Sequence, residues 1–221
     1  MKPNKTDPFL EKRVSKYDTW LHEGKVSCSS KVIPVSESLE GKKWILPTEQ
    51  VLEILRNAHS FALAKCDCRS HYQRCDNPLE VCFFLNDMAE KFVTAGKARH
   101  ISFEEAAEVL RNANKSGLVH LSLYMPDHEI YALCNCCACC CHDLQIIRLY
   151  QRSDWIVRSE YLAITNMETC IHCGACIERC LFDARKWENG QMIYNVDACY
   201  GCGLCVTVCP VDATMMLQKG S

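Results

Sequence analysis

Four cysteines, Cys170, Cys173, Cys176 and Cys180, recur 29 residues later as Cys199, Cys202, Cys205 and Cys209. No other feature restricts the fold as strongly. Two copies of one short unit, each a Cys-x-x-Cys-x-x-Cys loop with a further cysteine behind it, imply a pseudo-two-fold module. β-prone residues flank the copies: Tyr161–Ile164 before the first, Met192–Val196 before the second and Thr214–Leu217 after it. The chain of 221 residues carries nineteen cysteines, so eleven lie outside this repeat.

In a small secreted chain such a content would read as a disulfide framework. The segment from Met1 to Pro8 has no apolar stretch that could serve as a signal peptide. No apolar run approaches the roughly 18 residues that cross a bilayer. The expectation is a cytoplasmic chain without a membrane span, whose thiols hold metal. From Glu160 onward seven acidic residues face four basic ones, while the rest of the chain is nearly balanced. That polarity suits docking to a basic patch on a redox partner protein. Nucleic acid is not an expected partner, because the chain has no basic stripe or Lys/Arg block.

A [4Fe–4S] cubane needs four thiolates around one compact core. The triple-cysteine loop wraps three of them round one face and turns its backbone N–H groups toward the sulfides. The same short loop cannot reach the opposite corner, and in the bacterial pattern the fourth cysteine serves the other cluster. On that pattern Cys170, Cys173, Cys176 and Cys209 hold one cluster, and Cys199, Cys202, Cys205 and Cys180 hold the other. The exchange ties the halves together, so metal binding and folding are coupled. A pair of zinc sites is the alternative, but zinc ribbons use paired Cys-x-x-Cys knuckles rather than triple loops.

With eight cysteines in register, 18 residues between Cys180 and Cys199, and Pro210 behind Cys209, residues 160–218 resemble the dicluster ferredoxins of anaerobic bacteria and archaea. Leu181 stands where that family usually has proline, a residue that shapes the turn and is not a ligand. The resemblance implies a compact (βαβ)2 module that passes single low-potential electrons. His172 and Tyr200 lie between the first and second cysteines of their loops; His172 either tunes a cluster by a hydrogen bond to sulfur or faces solvent. Tyr194 and Phe182 are expected to pack against the clusters.

Ten further cysteines fall into two groups: Cys66, Cys68, Cys75 and Cys82, then Cys134, Cys136, Cys137, Cys139, Cys140 and Cys141. Neighbouring cysteines on an extended chain point to opposite sides, so the crowded second group cannot serve one mononuclear ion. It could line two neighbouring sites or a larger cluster. Thiolate-rich sites select zinc or iron–sulfur clusters, and a shared chain favours one or two additional iron–sulfur clusters, with zinc as the alternative. Cys66-Asp67-Cys68-Arg69, Asp76-Asn77-Pro78-Leu79-Glu80-Val81-Cys82, Gly117-Leu118-Val119-His120 and Cys134-Asn135-Cys136-Cys137, together with Ile33-Pro34-Val35 and Leu46-Pro47, make residues 30–145 similar to a cysteine-rich domain of ferredoxin-type proteins of anaerobes. The likeness implies an iron–sulfur domain and no particular activity. Arg69 either stabilises negative charge at a cluster or a carboxylate, or forms a surface ion pair. His71, His120 and His142 are read as structural in the presence of so many thiols. Cys28, alone in a polar stretch, is read as a non-ligand.

The fold expectation is α+β. Residues 1–46 form an arm, and residues 47–152 a mainly helical cysteine-rich domain with a small β-hairpin. Residues 160–218 form the ferredoxin module. A helix is expected from Pro47, capped by Thr48, and another over Leu79–Ala95. A third begins at the capping box Ser102-Phe103-Glu104-Glu105 and closes at Gly117. The hairpin joins Leu118–Met125 to Glu129–Cys134, and Asp143 to about Arg152 is helical. The leading functional expectation is an electron-transfer protein. The alternative is an iron–sulfur oxidoreductase whose N-terminal cluster binds a substrate and is fed by the ferredoxin clusters; a redox or metal sensor is a third reading. No Gly-rich nucleotide loop, nucleophile elbow or other cofactor fingerprint is present.

Overall fold

Val81-Cys82-Phe83-Phe84-Leu85 is apolar throughout, and periodicity alone cannot say whether such a run is a buried strand or part of a buried helix. In the computed structural model, which describes residues 7–34, 49–126, 129–150, 152 and 155–219, it is a strand inside a sheet. The first 100 residues contribute α1 (Pro8–His22), β1 (Ser30–Ile33), α2 (Glu49–Asn57), β2 (Phe61–Lys65), α3 (Asp67–Tyr72), β3 (Glu80–Leu85), α4 (Asn86–Thr94) and β4 (Ala98–His100). Then come α5 (Phe103–Lys115), β5 (Val119–Tyr124), β6 (Ile130–Cys136), α6 (His142–Tyr150) and β7 (Ile156–Val157). The C-terminal part holds β8 (Tyr161–Thr165), α7 (Ala175–Glu178), β9 (Arg185–Glu188), β10 (Gln191–Tyr194) and β11 (Thr214–Gln218).

The expectation of a mainly helical N-terminal domain is overturned. Seven strands form one mixed sheet in the order β4-β2-β3-β6-β5-β1-β7. Its pairings are antiparallel except for β1 with β7. Two errors of period explain the miss. Phe61 and Ala62 continue the spacing of α2, although the chain has already left the helix and entered β2. Leu79–Ala95, read as one helix, is β3 followed by α4, with Asn86 at φ 53° as the corner between them. The stretch taken as a polar arm also contributes α1 and β1. The cap at Asp7 is definite, its carboxylate accepting from the Phe9 and Leu10 backbone N–H groups at 3.0 and 3.3 Å. Residues 35–48, including the expected cap Thr48, lie outside the described residues.

Other elements follow their local chemistry. Ser102 caps α5 by accepting from the Glu105 N–H at 3.1 Å, and Gly117 follows the helix at φ 73°. The β5–β6 hairpin pairs Leu121 with Cys134 and Val119 with Cys136. On one face of the sheet, α2 and α5 bury Val51, Leu55, Ala106 and Leu110 against Leu63, Phe83 and Leu133. Phe84 points to the other face, where it stacks on Phe92 of α4 at 3.8 Å. No helix of the described residues is long and apolar enough to cross a membrane.

The C-terminal module closes as two small antiparallel sheets, β8 with β11 and β9 with β10. It does not hang free. One apolar cluster runs from Leu10 and Tyr17 of α1 through Leu144, Trp155 and Ile156 to Phe182, Tyr200 and Leu204 of the module. Lys31 pairs with Glu160, and Arg179 donates to the Lys115 carbonyl at 3.0 Å. Trp155 is fully buried at this junction and its indole N–H donates to Asp143 at 3.2 Å, an acceptor that Arg13 also meets at 3.4 Å. Trp155→Ala is expected to destabilise the chain by about 3–5 kcal/mol, measured as a lower urea midpoint under anaerobic conditions; an unchanged midpoint would show that the junction carries no stability.

Candidate metal centres

In the C-terminal module the loop Cys170–Cys176 turns through His172 at φ 50° and Gly174 at φ 80° before entering α7. A small cavity under this loop is lined by Cys170, Cys173 and Cys176, and by Cys209 from the second repeat. A second cavity is lined by Cys199, Cys202 and Cys205, and by Cys180 from the first repeat. Backbone closeness is enforced at Gly201: a Cβ there would stand 2.1 Å from the Tyr161 carbonyl oxygen. With no side chain in the way, the Gly201 N–H donates to the Cys199 sulfur at 3.4 Å. Four sulfurs, a backbone N–H and a cavity are what a cubane requires of its host.

The module's flanking residues sort differently from one another. His172 does not face sulfur; its Nδ1 accepts from the Met192 N–H at 3.1 Å. Tyr200 is buried and stacks on Phe182 at 4.4 Å, and both border the second cavity with Tyr194. Sequence reasoning missed Arg185. It is 2 % exposed, donates to Thr165 Oγ1 at 2.8 Å and lies 3.9 Å from the sulfur of Cys176. It also bonds the Cys205 thiol and lies over the Tyr194 ring at 4.4 Å. A buried cation thus touches one cysteine of each cavity. Its only sequence signal is an arginine opening an otherwise ordinary strand.

In the N-terminal part the two cysteine groups interleave. Cys66 precedes α3, Cys68 lies in its first turn, and Cys82 is in β3. Cys134 and Cys136, two apart in β6, share one face of the sheet, as the period of a strand dictates. Cys141 stands just before α6. Together with Cys137, these six line a chamber of about 400 Å³. Their thiols meet in sequence round it: Cys66 contacts Cys68 and Cys82, Cys134 contacts Cys82 and Cys136, and Cys136 contacts Cys141. The ring divides the protons unequally. Thiol donors on both sides hold Cys66 down, and Cys136 and Cys82 likewise hold Cys134 down to about 5. Their donor partners Cys68, Cys82 and Cys136 are pushed up by the same contacts and by burial.

Arg69 is 1 % exposed, so the surface ion pair reading fails. Its guanidinium donates to the Asn135 carbonyl at 3.1 Å, to the Pro78 carbonyl and to the Cys137 sulfur at 3.5 Å. His142 lines the chamber; burial first, then Arg13, depresses it to about 4, and its Nε2 has no hydrogen-bond partner among the described residues. Phe9 of α1 closes over this side, stacked on His71 at 4.0 Å and edge-on to His142 at 4.4 Å. His120 is buried away from the thiols, where Nδ1 meets Asn135 Oδ1. Cys28 is buried but lines neither the chamber nor the two small cavities.

The remaining four thiols, of Cys75, Cys137, Cys139 and Cys140, all lie within 4.8 Å of one another. Cys75 comes from the loop after α3, where Gln73 is left-handed at φ 49°, and the other three from the turn that ends β6.

Residues 163–217 match the family model of a 4Fe-4S dicluster domain. No curated protein matches the chain. The C-terminal module is therefore of the ferredoxin type, and the chain has the equipment of an iron–sulfur electron-transfer protein. Arg185→Met keeps the bulk and removes the charge beside both cavities. Both reduction potentials are expected to fall, each by about 1.4 kcal/mol or roughly 59 mV for a one-electron couple. Anaerobic redox titration reads this directly, and unchanged potentials would show that the arginine serves packing alone.

Proposed function

We propose that this protein carries single electrons between a redox partner and a third iron–sulfur centre in its own N-terminal domain. The observation that carries the reading is the arrangement of thiols in two four-cysteine cavities and one chamber lined by seven cysteines, with a single apolar cluster joining the chamber to the second cavity. Cys170, Cys173, Cys176 and Cys209 would hold one [4Fe–4S] cluster, and Cys180, Cys199, Cys202 and Cys205 the other. When bound, such clusters supply reversible one-electron chemistry that needs no general acid or base.

The chain's own residues give this port two unlike ends. Cys173 is exposed, and around its cavity Ile171, Val211 and Trp187 stand out at 61, 39 and 50 % exposure. That apolar rim in an acidic module suits a partner with a matching apolar patch edged by basic residues. The other cavity is turned inward. Cys180 and Cys202 pack against the same cluster of side chains as Cys136 and Cys141 of the chamber. On this reading residues 160–218 are the port, and residues 47–152 host the third centre together with α1 and β1, which add a wall of the chamber and a strand of the sheet.

A second reading, that the chamber centre also acts on a substrate, is favoured by the chamber's walls. Lys12, Arg13, Lys16, Lys65 and Arg69 line it against Asp67 and Asp143, and this excess of positive charge would select a small anion.

Iron and sulfide counted on anaerobically purified protein test the main reading. The two ferredoxin clusters account for about eight irons, and clearly more are expected. Replacing Cys66 and Cys141 together by alanine should bring the iron down to about eight and leave the EPR signals of the dicluster module in place. Wild-type protein holding only the module's iron would sink the third centre. An EPR signal that small anions perturb in wild type, and not in that double variant, would promote the second reading.

A further inference from the structure

The ten N-terminal cysteines do not form one metal site. We infer that Cys75, Cys137, Cys139 and Cys140 hold a single tetrahedral zinc ion in a closed structural site that adjoins the chamber at Cys137.

Sulfur spacing carries the inference. The Cys75 and Cys137 sulfurs are 3.7 Å apart, and so are those of Cys139 and Cys140. Four thiolates on one ion with bonds of about 2.3 Å stand at the corners of a tetrahedron with edges of about 3.8 Å. Two edges of the quartet already have that length, and no edge exceeds 4.8 Å. In a cubane each thiolate binds a different iron at a different corner, which spreads the sulfurs well beyond this spacing. The chain itself supplies the comparison. Among the described residues the quartet is the one group of three or more ligand atoms that all lie within 4.8 Å of one another. Chamber thiols touch in neighbouring pairs, but among the described residues no other three ligand atoms, in the chamber or the dicluster module, are grouped so closely.

The surroundings fit a doubly charged ion with four thiolates, whose net charge is negative. Arg69 donates to the Cys137 sulfur at 3.5 Å, and the Asn77 amide donates to that of Cys75 at 3.4 Å. The side chain of Arg74 is tied to the Cys139 carbonyl and to Gln145, both at 3.0 Å. Zinc stands above ferrous iron in affinity for such a site. Four protein thiolates complete the tetrahedron and leave no position for water or substrate.

The quartet also explains how the run from Cys134 to Cys141 serves two sites. Cys139 and Cys140 turn toward the ion, Cys136 and Cys141 on either side face the chamber, and Cys137 belongs to the quartet while also lining the chamber wall. The ion would pin the loop after α3 to the turn after β6 and so fix one wall of the chamber.

X-ray absorption at the zinc edge, on full-length protein purified anaerobically from medium supplying both zinc and iron, tests the site without interference from the iron clusters. One zinc per chain is expected, with four sulfurs at about 2.3 Å and no metal neighbour. Absence of zinc overturns the inference, as does zinc bound partly by nitrogen in the wild type. A lone iron with four sulfurs would overturn the choice of ion. In Cys139→Ser, zinc should be lost or show three sulfurs and one oxygen, with the dicluster EPR signals retained. Zinc still bound by four sulfurs in that variant would overturn the choice of residues.

Discussion

A thiolate removed from water is stable only beside a metal or another cation, and this condition organises the whole chain. Eighteen thiols are gathered into four sets, and a buried arginine stands where sets meet. Arg185 reaches the sulfurs of Cys176 and Cys205, one from each cavity of the dicluster module. Arg69 reaches Cys137 of the quartet while lining the chamber. Both side chains are almost wholly buried, at 2 and 1 % exposure. A buried arginine without opposite charge costs far more than it contributes. Their presence beside sulfur follows if those sulfurs are negatively charged in the working protein.

The sheet domain and the module are built to keep these sets in fixed relation. β3 and β6 pass through the middle of the sheet and place Cys82, Cys134 and Cys136 on one of its faces. The opposite face is filled by α2 and α5, and the C-terminal end of α5, at Ala113, meets the cluster of Cys66, Cys82, Cys137 and Cys140. The helix α1 spans the junction: Phe9 covers the chamber, and Tyr17 packs against Trp155 at 5.8 Å between ring centres. Cys180 and Cys202 meet the same apolar cluster from the other side. A chamber thus sits beneath one end of the port, with the exposed Cys173 at the other.

The C-terminal half of this picture was legible in the sequence because the cysteines that line its two cavities lie in fixed short loops. The strands Tyr161–Thr165, Gln191–Tyr194 and Thr214–Gln218 fall where the β-prone residues indicated. The capping box at Ser102 and the hairpin after Gly117 were legible for the same reason: each is written in adjacent residues. The seven-stranded sheet was not, because Phe61–Lys65 and Glu80–Leu85 are short, apolar and abut helices, so their period is ambiguous. The partition of the ten N-terminal cysteines was hidden more deeply. Cys75 joins Cys137 across 62 positions, and Cys66 joins Cys82 only because β2 and β3 pair. Arg185 gave no sign at all, since nothing in Asp183-Ala184-Arg185-Lys186 distinguishes a buried cation from a solvated one.

The central claim is that the C-terminal module is an electron port made of two four-iron clusters within one small fold. The most direct measurement is EPR spin integration during stepwise anaerobic reduction of the full-length protein. Two one-electron centres are expected from the module, and their signals should show mutual magnetic coupling, because each repeat contributes a cysteine to the other's cavity. A fully reduced sample with no paramagnetic iron from the module, its cysteines occupied by zinc, would contradict the claim.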